Sequence, residues 1–376
     1  MRFSEFRYIT ARKDRSIDGE YSRLSRNFRA GDIVRLHPSI YMPTEQWLSL
    51  KAQDRLQACV GAVALAARPH TFVGATTLGL YEIPLVKPGV LESPQIFVGV
   101  KTLGSVRVRT PIGCYGNLPD ARVRYAAQNS GRQEVAVLPQ PPRIRGQLLS
   151  GSRSTELSLE DWSYRVATET LSQALIRCIH SFPFESRVVI IEHLLRSGTT
   201  LLSEIYEACG RQMSARADGT VRWTKEFLIM LAQGQPIPHR RRDFEEAIAF
   251  GTLDNESVGE SLSHALIHKL GFEAPQLQVP MQLPSGRFVR PDYFWPNVRV
   301  VGEFDGAHKY TKSMQVSGKE ASQVVYEEKL REDGIRSLGH RVCRWTWADL
   351  MNPERLARIL SNAGVPRSSG VRQFGD

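Results

Sequence analysis

The alternation of apolar and polar positions changes period several times along the chain, and each change marks a predicted element. Near the start, GEYSRLSRNFRA sets Tyr21, Leu24 and Phe28 on one helical face and sends Arg23, Arg26 and Arg29 elsewhere. Gly31 ends that helix, and DIVRLHPSIYMP then predicts two short strands about a turn at His37-Pro38-Ser39, a helix followed by a wing. Arg35 carries the positive surface into the wing. A solvated helix face with an ordinary hairpin behind it explains the same pattern. Further on, DRLQACVGAVALAA predicts an Ala-rich helix, and SPQIFVGV and VRVRTPI alternate as half-buried strands do. The stretch 139–151 reads as a loop, because the consecutive prolines of PQPPRIRG remove donors and fix φ. Beyond it 157–195 reads as helix, and QPIPHRRR as a linker.

The C-terminal third is patterned more sharply. Ser257 and Glu260 have capping-box spacing and open a helix with Leu262, Leu266 and Leu270 as its stripe, stopped by Gly271. Three strand-like runs follow, QLQVPMQL, RFVRPDYFWP and NVRVVGEFD, divided by Pro284-Ser285-Gly286 and Pro296-Asn297. A long helix over 320–338, packing through Tyr326, Leu330, Gly334 and Leu338, leads by Gly339 to the strand HRVCRWT. Alternate residues of a strand share a face, so Glu303 and Asp305 point together while Asp292 comes from the preceding strand. Acids gathered in this way repel unless a cation neutralises them, and hard oxygen ligands suit Mg²⁺ or Mn²⁺. An exposed strand end with a turn at Asp305-Gly306 accounts for the same residues without a metal.

Bulk properties narrow the classes. A chain of 376 residues exceeds one ordinary core, so several domains are expected. Its 49 Lys+Arg against 39 Asp+Glu leave a net charge of +10, which favours polyanionic partners through counterion release. Cys59, Cys114, Cys178, Cys209 and Cys343 are scattered and lack zinc-ligand spacing, which fits a reduced, cytoplasmic setting. No run is apolar enough for a signal peptide or a membrane span, and no phosphate-loop or dinucleotide fingerprint occurs.

The run RPDYFWPNVRVVGEFDGAHKY with EEKLREDGIRSLGHRVCRWTWADL resembles the very-short-patch-repair-like endonuclease domain of PD-(D/E)XK type. SRLSRNFRAGDIVRLHPSIYMP with HTFVGATTLGLYEIPL resembles the winged-helix and adjoining region of type IV AbiEi-like antitoxins of actinobacteria. The implied fold is multidomain α/β: a winged helix-turn-helix at 1–45, a central α+β region at 46–234, a linker at 235–256, a restriction-endonuclease-like α/β domain at 257–364 and a flexible tail at 365–376. The resemblance implies that Asp292 and Glu303 are metal ligands, with Asp305 a third or water-mediated one. Glu260 completes that cluster or serves only its capping box. Asp305 stands where the nuclease signature has Lys, so Lys329 is the substitute cation for catalysis, or else a surface residue paired with Glu332 or Asp333. His308 and Lys309 are placed to touch phosphate, with a plain surface role as the alternative; Arg331, Arg341 and Arg344 read as solvated or phosphate-positioning. The expected activity is that of an Mg²⁺-dependent DNA endonuclease or nickase, docked on duplex DNA by Arg23, Arg26, Arg29 and Arg35. The alternative is a non-catalytic DNA-binding regulator or antitoxin with a degenerate nuclease fold, working with a toxin or by self-association; no membrane partner is expected.

Overall fold

The computed structural model describes residues 5–10, 18–66, 70–86, 95–101, 142–149, 154–158, 165–197, 199–201, 220–306 and 321–368. Among these the chain is mixed α/β, with 12 helices and several small sheets. It divides into two compact units, Met1–Tyr81 with Glu92–Leu175, and Glu82–Leu91 with Ile176–Asp376. No helix among the described residues is long and apolar enough to cross a membrane.

The first unit opens with β1 (Ile9–Thr10), α1 (Asp18–Ala30), β2 (Ile33–His37) and β3 (Ile40–Pro43), followed by α2 (Thr44–Ser49) and α3 (Ala52–Ala64). The strands form one antiparallel sheet in the order β1-β3-β2. Leu24 is buried as its spacing predicts, and Phe28 meets Tyr41 edge-on at 6.0 Å; the Tyr21 side chain lies outside the described residues. Val34, Met42, Trp47, Val60 and Val63 belong to one buried core. Next come α4 (Ala75–Leu80), β4 (Gln95–Val100), β5 (Arg143–Leu148), β6 (Ser154–Ser158), β7 (Arg165–Glu169) and α5 (Leu171–Cys178). β4 buries Ile96, Val98 and Val100 in the expected alternation, and Phe72 bridges to Val98 and to Thr168. Two expectations fail here. The predicted loop contains β5, paired in parallel with β4, because prolines that forbid helix leave the following RIRGQL free to extend. Within the predicted helix 157–195, residues 157–158 and 165–169 lie instead in the antiparallel strands β6 and β7. VRVRTPI lies outside the described residues.

The second unit contains α6 (Phe184–Ser197), β8 (Thr199–Leu201), β9 (Thr220–Arg222), α7 (Lys225–Gln233) and α8 (Pro238–Phe250). α8 falls where a linker was expected. Proline at its first turn is pre-set for helix, and the chain beyond QPIPHRRR buries Phe244, Ala247 and Ile248. α9 (Val258–Lys269) is capped by Ser257, whose Oγ accepts the Glu260 N–H, and it ends at Gly271 with φ +72, a left-handed conformation glycine adopts without strain.

The three predicted strand runs resolve into β10 (Gln276–Leu277), β11 (Met281–Gln282), β12 (Phe288–Val289), β13 (Tyr293–Trp295) and β14 (Val300–Asp305), because internal prolines break the first two. α10 (Ala321–Ser337) crosses to β15 (Arg341–Thr346), and α11 (Trp347–Leu350) and α12 (Pro353–Asn362) follow. The sheet order is β10-β13-β14-β15, with β14 and β15 parallel, a pairing that requires a crossover such as α10. On one face Tyr293, Trp295, Val300, Phe304 and Trp345 pack with Leu262 and Leu266 of α9 and with Leu356 and Leu360 of α12. On the other, Val301 packs with Met281, Leu283, Val289 and Ile335 of α10. Strand alternation therefore puts Glu303 and Asp305, like Val301, on the α10 side.

Candidate functional site

Glu303 sits near the C-terminal end of β14, buried to 4% exposure, directly opposite Arg344 in the parallel register. Two guanidinium groups hold its carboxylate. Arg331 Nη1, from α10, lies 2.6 Å from Oε1 and 2.8 Å from Oε2. Arg344 Nη2 lies 3.2 Å from Oε2. Glu328 ties the two cations together, its Oε1 being 3.1 Å from Arg331 Nη1 and 2.5 Å from Arg344 Nη2. Arg344 also reaches Asp305 Oδ1 at 3.5 Å and Glu332 Oε2 at 3.2 Å. Burial pushes the Glu303 carboxyl above its usual range, against the pull of Arg331 and Arg344. Burial alone would lower Arg331, but its hydrogen bond to and charge attraction for Glu303 hold it above the ordinary guanidinium value.

The other acids form a separate group. Asp292 Oδ2 accepts the Phe304 N–H at 2.8 Å, and Oδ1 lies 3.4 Å from Gln278 Nε2. The same amide nitrogen is 3.2 Å from Glu260 Oε2. Glu260 also accepts from Ser257 Oγ at 2.7 Å and from the Glu256 N–H at 2.8 Å, so its capping role is realised and extended toward Asp292. The acidic residues predicted to meet at one point are thus sorted in two, Glu260 and Asp292 about an amide, Glu303 and Asp305 about arginines.

That sorting decides the fit of a divalent cation. Among the described residues no three His, Cys, Asp or Glu side chains form a group able to hold a metal. Arg331 Nη1 lies 2.6 Å from Glu303 Oε1, which accepts no hydrogen bond among the described residues, and Arg344 Nη2 lies 3.2 Å from Oε2, so a cation there would meet like charge. As arranged here, the described residues do not gather Asp292, Glu303 and Asp305 into one ligand set for Mg²⁺ or Mn²⁺.

Lys329 is not the cation at this site either; its side chain is exposed, and Arg331, two residues on, turns inward instead. The reason lies in how α10 packs. Tyr326 and Leu330, expected in its buried stripe, are 62% and 51% exposed, while Ile335 is fully buried and Gly334 lies against Leu283. The predicted stripe therefore meets the sheet only in its C-terminal half, through Gly334 and Leu338, while Tyr326 and Leu330 stay exposed. Gln278 and the acid-binding roles of Arg331 and Arg344 were not legible beforehand. The only local hint was the i,i+3 spacing of Glu328 and Arg331. His308 and Lys309 lie outside the described residues. Arg23, Arg26 and Arg29 are exposed on α1, and the Arg35 guanidinium stacks 5.2 Å from the Phe28 ring centroid. No protein-family model, curated protein or solved structure matches the chain.

Proposed function

We propose that the protein is a DNA-binding regulator in which the C-terminal α/β domain is a binding platform and does not cleave. The observation that carries this reading is the neutralisation of Glu303 by Arg331 and Arg344, which occupies the acid a nuclease would need open. DNA is the favoured polyanion because the net charge is +10 and Arg23, Arg26 and Arg29 project from a helix that precedes a β-hairpin, the order of a winged helix. Arginines so placed neutralise backbone phosphates and set position, while sequence is read by whatever reaches the base edges.

Supercoiled plasmid incubated with Mg²⁺ or Mn²⁺ tests the reading, beside Asp292→Ala and Glu303→Gln. The expected result is intact DNA that shifts on a gel with all three proteins. Nicking by the wild type that disappears in Asp292→Ala restores the alternative, a metal-dependent endonuclease. One observation favours that second reading: Glu260 and Asp292 converge on a single amide nitrogen, a pair of carboxylates close enough to share one partner.

A further inference from the structure

The junction of α6, α8 and the 3₁₀ turn Ile179–Ser181 gathers Arg187, Arg240 and His180 around a single acid, Asp243, among the described residues. Arg187 of α6 is 9% exposed, yet its Nε has no hydrogen-bond partner among the described residues, and its Nη1 meets only Asp243 Oδ2, at 3.5 Å. Arg240 Nε of α8 and His180 Nδ1 of the turn are likewise buried and unpartnered. These groups lie close enough to sense one another: burial lowers the His180 pKa first, and Arg240, His239 and Arg187 lower it further against Asp243. Buried donors with no acceptor are rare in folded proteins and call for a partner.

The start of α8 adds to this. Its first turn carries no acidic residue, and His239, Arg240, Arg241 and Arg242 follow Pro238 there, where the helix dipole favours negative charge. The N-cap residue Ile237 offers no side-chain acceptor, so the first free N–H groups have no partner from the cap. A helix start rich in cations, beside a buried arginine with donors to spare, is an anion-binding arrangement.

We propose that Arg187, Arg240, His180 and the N-terminal turn of α8 form an oxyanion site that takes a phosphate group, supplied by a nucleic-acid backbone. A tetrahedral phosphate presents several acceptor oxygens, enough to satisfy both guanidinium groups and a ring or backbone N–H together. Asp243, 41% exposed in its side chain, is the acid that contacts Arg187 among the described residues, and the anion would displace it. The nucleic-acid source rests on the function proposed above; the site itself does not.

The test is titration calorimetry of the full chain with inorganic phosphate, ionic strength held constant with chloride. Wild type should bind at one saturable site, and Arg240→Gln and Arg187→Gln should each weaken binding ~10-fold or more, as loss of a charge-assisted hydrogen bond implies. Arg240 is only partly buried, so its variant decides the matter even where Arg187→Gln fails to fold. Absence of saturable phosphate binding by wild type, or equal binding by a folded Arg240→Gln, overturns the site. Short duplex DNA should compete with phosphate. Phosphate binding that duplex leaves unchanged overturns the nucleic-acid source and keeps the site.

Discussion

Replacing Arg331 by methionine keeps most of the side-chain stem and removes the guanidinium closest to Glu303. What is left is a carboxylate at 4% exposure with Arg344 Nη2 as its remaining cation, 3.2 Å away. Stripping one partner from a buried ion pair costs ~3–5 kcal/mol, because the other charge stays desolvated. Arg331 is itself 20% exposed in its side chain and Arg344 stays in place, so the loss should fall lower, at about 2–3 kcal/mol near neutral pH. The sign with pH follows from the carboxylate. Burial already raises Glu303, and without Arg331 it rises further, so the folded variant favours the protonated acid. A raised folded pKa gives stability that is present at low pH and lost as pH rises through it. The variant's deficit should therefore be largest at about pH 8 and shrink toward about pH 5. Urea unfolding followed by tryptophan fluorescence reports on this domain, since Trp295 and Trp345 are fully buried on the other face of its sheet. With a slope of ~1.5–2 kcal/mol per molar urea, the midpoint should fall by roughly 1–2 M. An unchanged midpoint, or a deficit identical at both pH values, refutes the view that Arg331 neutralises Glu303.

Three further outcomes are expected. Gly302→Ala places a Cβ 2.6 Å from Trp345 Cη2 and 3.0 Å from Trp295 Cζ3, so it should destabilise the domain by ~1–3 kcal/mol, measured as a lower thermal midpoint. His264 has its pKa pushed down to about 4 by burial and by nearby His268, and its neutral ring lies 3.3 Å from Asn255 Nδ2. A lowered folded pKa costs stability as pH falls from the unfolded value toward the folded one, up to about 3 kcal/mol here; His264→Phe should flatten that acid-side slope in a pH series of unfolding curves. Changing Arg23, Arg26 and Arg29 together to Ala should weaken duplex binding and reduce the slope of log affinity against log salt by about 2–3; a slope equal to that of wild type removes α1 from the interface.

Several features of this protein follow from local sequence alone. The Ser257/Glu260 spacing and the Leu262/Leu266 stripe specify α9, since capping and helical periodicity act within a few residues. The two-residue period of VVGEFD places Glu303 and Asp305 on one face wherever the strand pairs. Partnership across elements was decided elsewhere. That Glu303 faces Arg344 depends on the parallel register of β14 with β15, and that Arg331 points inward while Lys329 does not depends on which face α10 turns to the sheet. Neither is encoded by spacing within one segment. Register and helix rotation are chosen by the packing of the whole core, so the sequence named the acids and only the folded chain supplied the cations that close them.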